Sequence, residues 1–336
     1  MMRSKFLFLL IVFMMCAHAC NRQAPAPHYI FDTDLGGDID DVLALEMLVN
    51  YHKAGEIVLD GVTLSKSNPL AVLFTDGYLR WHGLGDEIPV GWVYEGKSPE
   101  DYYYMIPTLE AEYDGHSLLE PAPDVLETVP EGYKLMRKIL DSSPDASVNV
   151  VSVGMYTNLQ RLLESEPDEF SPLSGVELVR RKVAGLHLMG GVFAGDPFPE
   201  TNVITDLEAS KAVLGTWPGR ITASGFEVGA ALRYPHESIE NDFGEPGSHP
   251  LNVAYTHWGA MPYDRPSWDL TSVFEAVDGC AGIFEYSPYG TISVDDAGFV
   301  SFEASENGKH RYLILPQGKT AEAMDAIVSV VSGRRF

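Results

Sequence analysis

Apolar positions along this chain follow two alternating rhythms. HYIFDTD (28–34) is a short run of strand character, and DDVLALEMLVNYH (40–52) follows with Val42, Leu45 and Val49 spaced along one helix face. The pairing then repeats. IVLDGVTLS predicts a second strand and NPLAVLFTDGYLRWHG a second helix, with Asn68-Pro69 as its entry signal. IPVGWV, SVNVVSVGM, VAGLHLMGG and RITASGF read as further strands, and 156–165 and 206–215 as helices among them. This order predicts an α/β fold: a doubly wound, mostly parallel sheet with helices on both faces.

Two stretches break the rhythm. Residues 95–131 are rich in Pro, Glu and Tyr, and residues 234–268 carry Pro235, Pro246, Pro250, Pro262 and Pro266. Both read as long loops at the rim, the kind that in a compact domain is functional or mobile. The C-terminal part, GTISVDDAGFVSFEA…RYLILP, shows hairpin-like alternation, a small β addition to the same domain, and ends in a helix, TAEAMDAIVSVV.

The N-terminus reads differently. MMRSK is basic, FLFLLIVFMM is apolar and AHAC supplies small residues, the pattern of a secretory signal over residues 1–19. The apolar run is too short for a membrane span, which needs about 20 residues. Cys20 directly after Ala19 is similar to the lipobox of bacterial lipoproteins, which implies lipidation of Cys20. Residues 20–27 would then be a tether and 28–336 a single domain. The expectation is an exported protein, lipid-anchored in the cell envelope and touching membrane only through that anchor. Cys16 leaves with the signal, so Cys20 and Cys280 imply no disulfide framework.

Charge narrows the partners. With 48 Asp and Glu against 23 Lys and Arg, the formal net charge is −25. Such a chain is repelled by nucleic-acid phosphates and anionic lipid, so no nucleic-acid partner is expected. A hydrophobic share of 45% supplies a full core. Oligomeric state stays open between a monomer and a homo-oligomer.

Charge is also concentrated. DTDLGGDIDD (32–41) holds five aspartates at the point where the first strand gives way to a helix. Ligands of an open parallel sheet bind at the carboxyl ends of its strands, so the cluster stands where an active site belongs. Gly36 and Gly37 permit the sharp turn that converges the carboxylates. Converging hard oxygen ligands suit Ca²⁺ or Mg²⁺. Asp40 or Asp41 alone could instead serve the helix N-terminus, but five acids in ten positions exceed what one helix end uses.

Three chemistries compete for this cluster. An EF-hand loop fails, because the twelfth position from Asp32 is Leu43. A haloacid dehalogenase-type phosphatase would use Asp32 and Asp34 as nucleophile and acid, but it leaves Asp38, Asp40 and Asp41 unexplained. The third reading accounts for more of the chain. DTDLGGDIDDVLAL resembles the DxDPGxDDxxAL fingerprint of the inosine-uridine-preferring nucleoside hydrolases, with Leu35 for the proline and two extra residues. GVTLSKSN resembles GITxxxGN, VSVGMYTNL resembles TxGPLTNL, LMGGVFAGDPFPETNVITDLEAS resembles MGG…EfNxxxDpeAA, and RPSWDLTSVFEAV stands where the late HDPxAV motif belongs.

The resemblance implies the fold already read and a Ca²⁺ held by Asp34, Asp41, Asp269 and the Val153 carbonyl. It makes Asp34 the base that takes a proton from water. Asp40, Asn68, Glu200 and Asn202 become contacts to sugar hydroxyls, and Trp268 a further substrate contact. Asp38 rivals Asp40, which is favoured because it directly precedes Asp41 and the helix. The implied reaction hydrolyses the N-glycosidic bond of a nucleoside or related ribosyl compound, giving ribose and free base. One departure matters: the family's late motif often carries a histidine that protonates the leaving base, and Trp268 stands there. Tryptophan has no acidic proton to give, although its face can stack on a ring. His116, Tyr102, Tyr103, Tyr104, His257 and Arg265 lie in the two long loops, with none singled out as an acid. The departure keeps a non-catalytic Ca²⁺-dependent nucleoside-binding lipoprotein as the alternative.

Overall fold

The computed structural model of the chain describes residues 25–97 and 103–336. The signal and lipidation expectations, residues 1–19 and Cys20, lie outside them, as do most of the tether and Tyr102. Among the described residues no helix is long and apolar enough to cross a membrane.

Fourteen strands are described: β1 (His28–Thr33), β2 (Val58–Leu64), β3 (Val90–Trp92), β4 (Glu112–Tyr113), β5 (His116–Ser117), β6 (Val148–Ser152) and β7 (Val183–Met189), then β8 (Ile221–Ser224), β9 (Arg233–Tyr234), β10 (Arg265–Pro266), β11 (Glu285–Tyr286), β12 (Gly290–Val294), β13 (Val300–Ala304) and β14 (His310–Ile314). The main sheet runs β13-β12-β14-β8-β7-β6-β1-β2-β3, with β11 on the side of β14. From β14 to β3 every pairing is parallel, and the pairings of β11, β12 and β13 are antiparallel. The chain moves from β1 outward to β3, then returns to β6 on the other side of β1. That reversal opens a crevice at the carboxyl ends of the strands.

The sheet is buried on both faces, as helices between parallel strands require. In β1, Tyr29 and Phe31 enter one core and Ile30 the other, the period-two alternation of a strand. The helix Asp40–Lys53 is more enclosed than a single apolar face implies. Val42, Leu45 and Val49 are buried, and so are Leu43, Ala44, Met47 and Leu48 around its other sides. The helix Pro69–Trp81 begins as expected, with Pro69 in its first turn and Asn68 Oδ1 accepting the Leu70 N–H at 2.9 Å.

The rim loops hold more order than their sequence suggests. Residues 95–131 include the helices Met105–Leu109 and Val125–Thr128 and the β4–β5 hairpin, and residues 234–268 include the helices His236–Asn241 and Pro250–Trp258. Pro250 opens the latter helix instead of breaking one, since a first-turn proline forfeits no helical hydrogen bond. At the C-terminus β12 and β13 form the expected hairpin, but β14 enters the main sheet alongside β8.

Candidate active site

Five neighbouring parallel strands end at one cavity of about 480 Å³. Beyond β1 lies Asp34, beyond β2 Lys66, beyond β6 Val153, at the end of β7 Met189, and beyond β8 Phe226; all five line it. The loop after β7 adds Glu200, Thr201 and Asn202, and the start of the helix Trp268–Asp278 adds Trp268 and Asp269.

The aspartates divide by role. Asp32 does not line the cavity. Its carboxylate is fully enclosed and accepts from Thr63 Oγ1 at 2.7 Å, Asn158 Nδ2 at 2.8 Å and Ser152 Oγ at 2.9 Å. Burial pushes its pKa up to about 6, with those three donors opposing the rise. This geometry ties β1 to β2 and β6 and gives no support to a phosphatase nucleophile at Asp32. Asp38 is held by Arg265, whose Nε donates to Oδ1 at 2.8 Å and whose Nη2 donates to Oδ2. Asp38 also accepts the Ile39 N–H at 2.6 Å, so this carboxylate is engaged by protein donors.

Asp40, Asp41 and Asp269 come together from opposite ends of the chain. One oxygen from each lies within 4.8 Å of the others, and all three are buried. Asp40 Oδ2 accepts the Asp269 N–H at 3.2 Å, and Asp41 Oδ1 accepts from Thr33 Oγ1. Burial first, and the neighbouring carboxylates second, hold all three well above the ordinary carboxylate range. The charge of Asp34 bears on Asp41 and Asp269 from the same cavity. An all-oxygen set of mutually repelling buried carboxylates fits a hard divalent cation, which offsets both penalties at once. Asp40 joins this group as closely as Asp41 does, whereas the sequence assigned it to the sugar alone.

Two close approaches bring the strand ends together. Gly36 turns with φ 130°, a conformation glycine reaches without strain. At Gly154 a Cβ would sit 2.5 Å from the Asp34 backbone nitrogen. Only a glycine lets the end of β6 lie that near the end of β1.

Glu200 begins the helix Thr201–Thr205 and accepts the N–H groups of Asn202, Gly191 and Val203 at 3.1, 3.3 and 3.4 Å. Burial pushes its pKa up to about 7, against those three donors. Asn202 Nδ2 donates to the Val153 carbonyl at 2.7 Å, which joins the Glu200 loop to the end of β6. Asn68 stands apart. It does not line the cavity, and its Oδ1 is spent as a helix cap, while its buried Nδ2 meets no acceptor among the described residues.

Trp268 stacks on Phe226 with centroids 5.3 Å apart and donates from Nε1 to the Phe226 carbonyl at 3.0 Å. The pair makes an apolar wall to the cavity. Arg265 lies against it, 5.0 Å from the Trp268 ring centroid and 4.2 Å from that of Trp258. Of the other loop residues, Tyr103 reaches the cavity, His116 lies exposed in the β4–β5 hairpin, and His257 contacts the Val253 carbonyl within its own helix. Lys66 and Phe226 line the cavity without having been singled out from sequence. The signal for Lys66 was present in GVTLSKSN, a cation in the motif that follows β2.

The family model for inosine-uridine preferring nucleoside hydrolases matches residues 29–283. No curated protein matches the chain in sequence. Among solved structures, a plant nucleoside hydrolase is similar at 18% identity and TM-score 0.66, covering 92% of this chain and 99% of that one. A purine-preferring ribonucleoside hydrolase from Gardnerella vaginalis is similar at 15% identity and TM-score 0.69, covering 91% and 98%. The type III effector XopQ, solved in complex with adenosine diphosphate ribose, is similar at 16% identity and TM-score 0.68, covering 97% and 98%.

Proposed function

The chain belongs to the inosine-uridine preferring nucleoside hydrolase family, glycosidases that hydrolyse N-glycosyl compounds, and from that premise we propose a Ca²⁺-dependent hydrolase releasing ribose and free base from a nucleoside or related ribosyl compound. The observation that carries the reading is the buried triad Asp40, Asp41 and Asp269 beside Asp34 at the carboxyl ends of the strands. Asp34, Asp41, Asp269 and the Val153 carbonyl would hold the cation, with Asp40 close enough to share it. When bound, Ca²⁺ supplies a Lewis acid that acidifies a water and favours a vicinal diol.

The remaining work falls to side chains. Asp34 accepts the proton of the attacking water, which must face the anomeric carbon for the oxocarbenium-like transition state. Three of the four acceptor sites of the Glu200 carboxylate are taken by backbone N–H groups, so one remains for a sugar hydroxyl. Asn202 positions the Val153 carbonyl from the sugar side. Asp40, which lines the cavity, would also take a ribose hydroxyl. Asn68 would join the sugar contacts through its unspent Nδ2, by a movement of the loop after β2. Trp268 and Phe226 offer a planar base an apolar face.

The protein is further proposed to be exported by residues 1–19 and anchored through Cys20, with 28–336 as one domain. The test of function is release of reducing sugar from purine and pyrimidine nucleosides by residues 21–336, with calcium and with chelator. Calcium-dependent release that Asp34→Ala abolishes is expected. Calcium-independent release, or none, would overturn the reading.

A further inference from the structure

The cavity holds an aromatic wall suited to a base but, at Trp268, no proton to give that base as it leaves. A departing heterocycle carries away the electron pair of the broken C–N bond. Help at that atom is typically worth about 10²–10⁴ in rate. Among the described residues the cations lining the cavity are Lys66 and Arg265, and the charge of Arg265 bears on Asp40 as well as on Asp38. The charge of Lys66 bears on Asp41, in the carboxylate cluster. Arg265 lies against the ring of Trp268.

Arg265 is held on three sides. Asp38 takes its Nε and Nη2, and the faces of Trp258 and Trp268 flank the guanidinium. Trp258 is itself fixed, with Nε1 donating to the Gly37 carbonyl at 2.9 Å. The short β9–β10 ladder pairs Arg265 with Tyr234 and fixes the backbone beneath it. These contacts leave Nη1 without a hydrogen bond to any described residue, on a side chain that lines the cavity and is 21% exposed. A planar donor has been oriented and one of its corners left for something else.

Resting on the hydrolase reading above, we propose that Arg265 stabilises the leaving base as an anion, in place of protonating it. Its guanidinium keeps its own proton at any ordinary pH, so its contribution is charge and a hydrogen bond. The C–N bond breaks with its electron pair passing to the base nitrogen. Water adds its oxygen to the anomeric carbon and gives one proton to Asp34. The base departs as an anion paired with Nη1 and takes its proton afterwards from solvent, to which Asp34 returns the one it accepted, so ribose and neutral base result. Asp38 is the positioning residue for this donor, which gives the fingerprint's two extra residues a use. A preorganised donor aimed at developing charge is worth about 10²–10³ in rate.

The test compares two leaving groups on the same sugar, with purine and pyrimidine nucleosides against p-nitrophenyl ribofuranoside. The nitrophenolate is a stable anion and needs no stabilisation. Arg265→Gln is expected to lower kcat on nucleosides by about 10²-fold, leaving kcat on the aryl riboside within about threefold. Arg265→Lys, which keeps the charge but not the fork, is expected to fall between wild type and Arg265→Gln on nucleosides alone. Equal losses on both substrates would overturn the proposal, because they would mark Arg265 as a structural latch. No loss on either would overturn it too. A wild-type protein that hydrolyses neither substrate would sink the parent reading instead, and is told apart because no variant is needed to see it.

Discussion

At Gly154 a single methyl group is too much. The Asp34 nitrogen lies 2.5 Å from where its Cβ would stand and the Asp34 Cβ 2.7 Å, so one strand end must retreat. Gly154→Ala is expected to cost about 1–3 kcal/mol in denaturant titrations, as overpacking does. Because the displaced residue is the proposed base, nucleoside hydrolysis is expected to fall by roughly 10²-fold in initial-rate assays. Glu200 offers a second check at the same scale. Its pKa rises on folding from 4.5 to about 7, so the folded protein holds this proton more tightly than the unfolded chain. The linked stability is fully present below pH 4.5 and is lost as pH rises through 7. Glu200→Gln is expected to flatten that part of the stability-versus-pH curve, measured by urea unfolding in chelator. An unchanged slope would show that Glu200 is not the group responsible.

Between elements, the ties are polar and buried. The helix Gly132–Ser142 carries Arg137, fully buried, whose guanidinium forks onto Asp168 at 2.7 and 2.9 Å and also reaches Ser165 and the carbonyls of Ser171 and Leu173. Arg137→Ala strips five acceptors of one donor group and is expected to destabilise by about 3 kcal/mol in chemical denaturation. The start of the helix Pro250–Trp258 supplies a pH-dependent counterpart. Burial holds the pKa of His249 down to about 4, against the pull of Glu46. A depressed histidine contributes stability above its unfolded value of 6.5, and that stability is lost as pH falls from 6.5 toward 4. His249→Asn, which can keep the cap to the Leu251 N–H, is expected to remove that acid-side loss.

Element scale is also where the sequence was most and least legible. The strand-helix alternation through residue 92 stands as read, because its periods are local and its caps explicit. Asn68-Pro69 is a start signal in sequence and in space. The helices Gly132–Ser142 and Gly175–Lys182 escaped notice beside proline-rich and polar stretches, and Pro250 read as a loop marker although it opens a helix. Of the site, the aspartate fingerprint announced itself because five charges fall within ten positions. The Asp38–Arg265 pair did not, since its members lie 227 positions apart and only the fold brings them together.

The whole molecule carries a formal charge of −25 and buries part of that charge around one cavity. A cation bound by the folded protein and not by the unfolded chain must raise its stability by mass action. At about 100 times its dissociation constant, Ca²⁺ is expected to add about 2.7 kcal/mol, seen as a higher Tm that chelator reverses. Asp269→Asn is expected to shrink that shift, since it removes one carboxylate of the cluster.

The place of β14 has a consequence for the order in which the protein can be made. This strand lies between β8 and β12, yet it is the last of the sheet to leave the ribosome. A chain halted before His310 presents the β8 edge unpaired and leaves the β12–β13 hairpin with no sheet to join. The sheet therefore closes only after synthesis of its last strand is complete, and until then its β8 edge is the place where a misplaced strand could add.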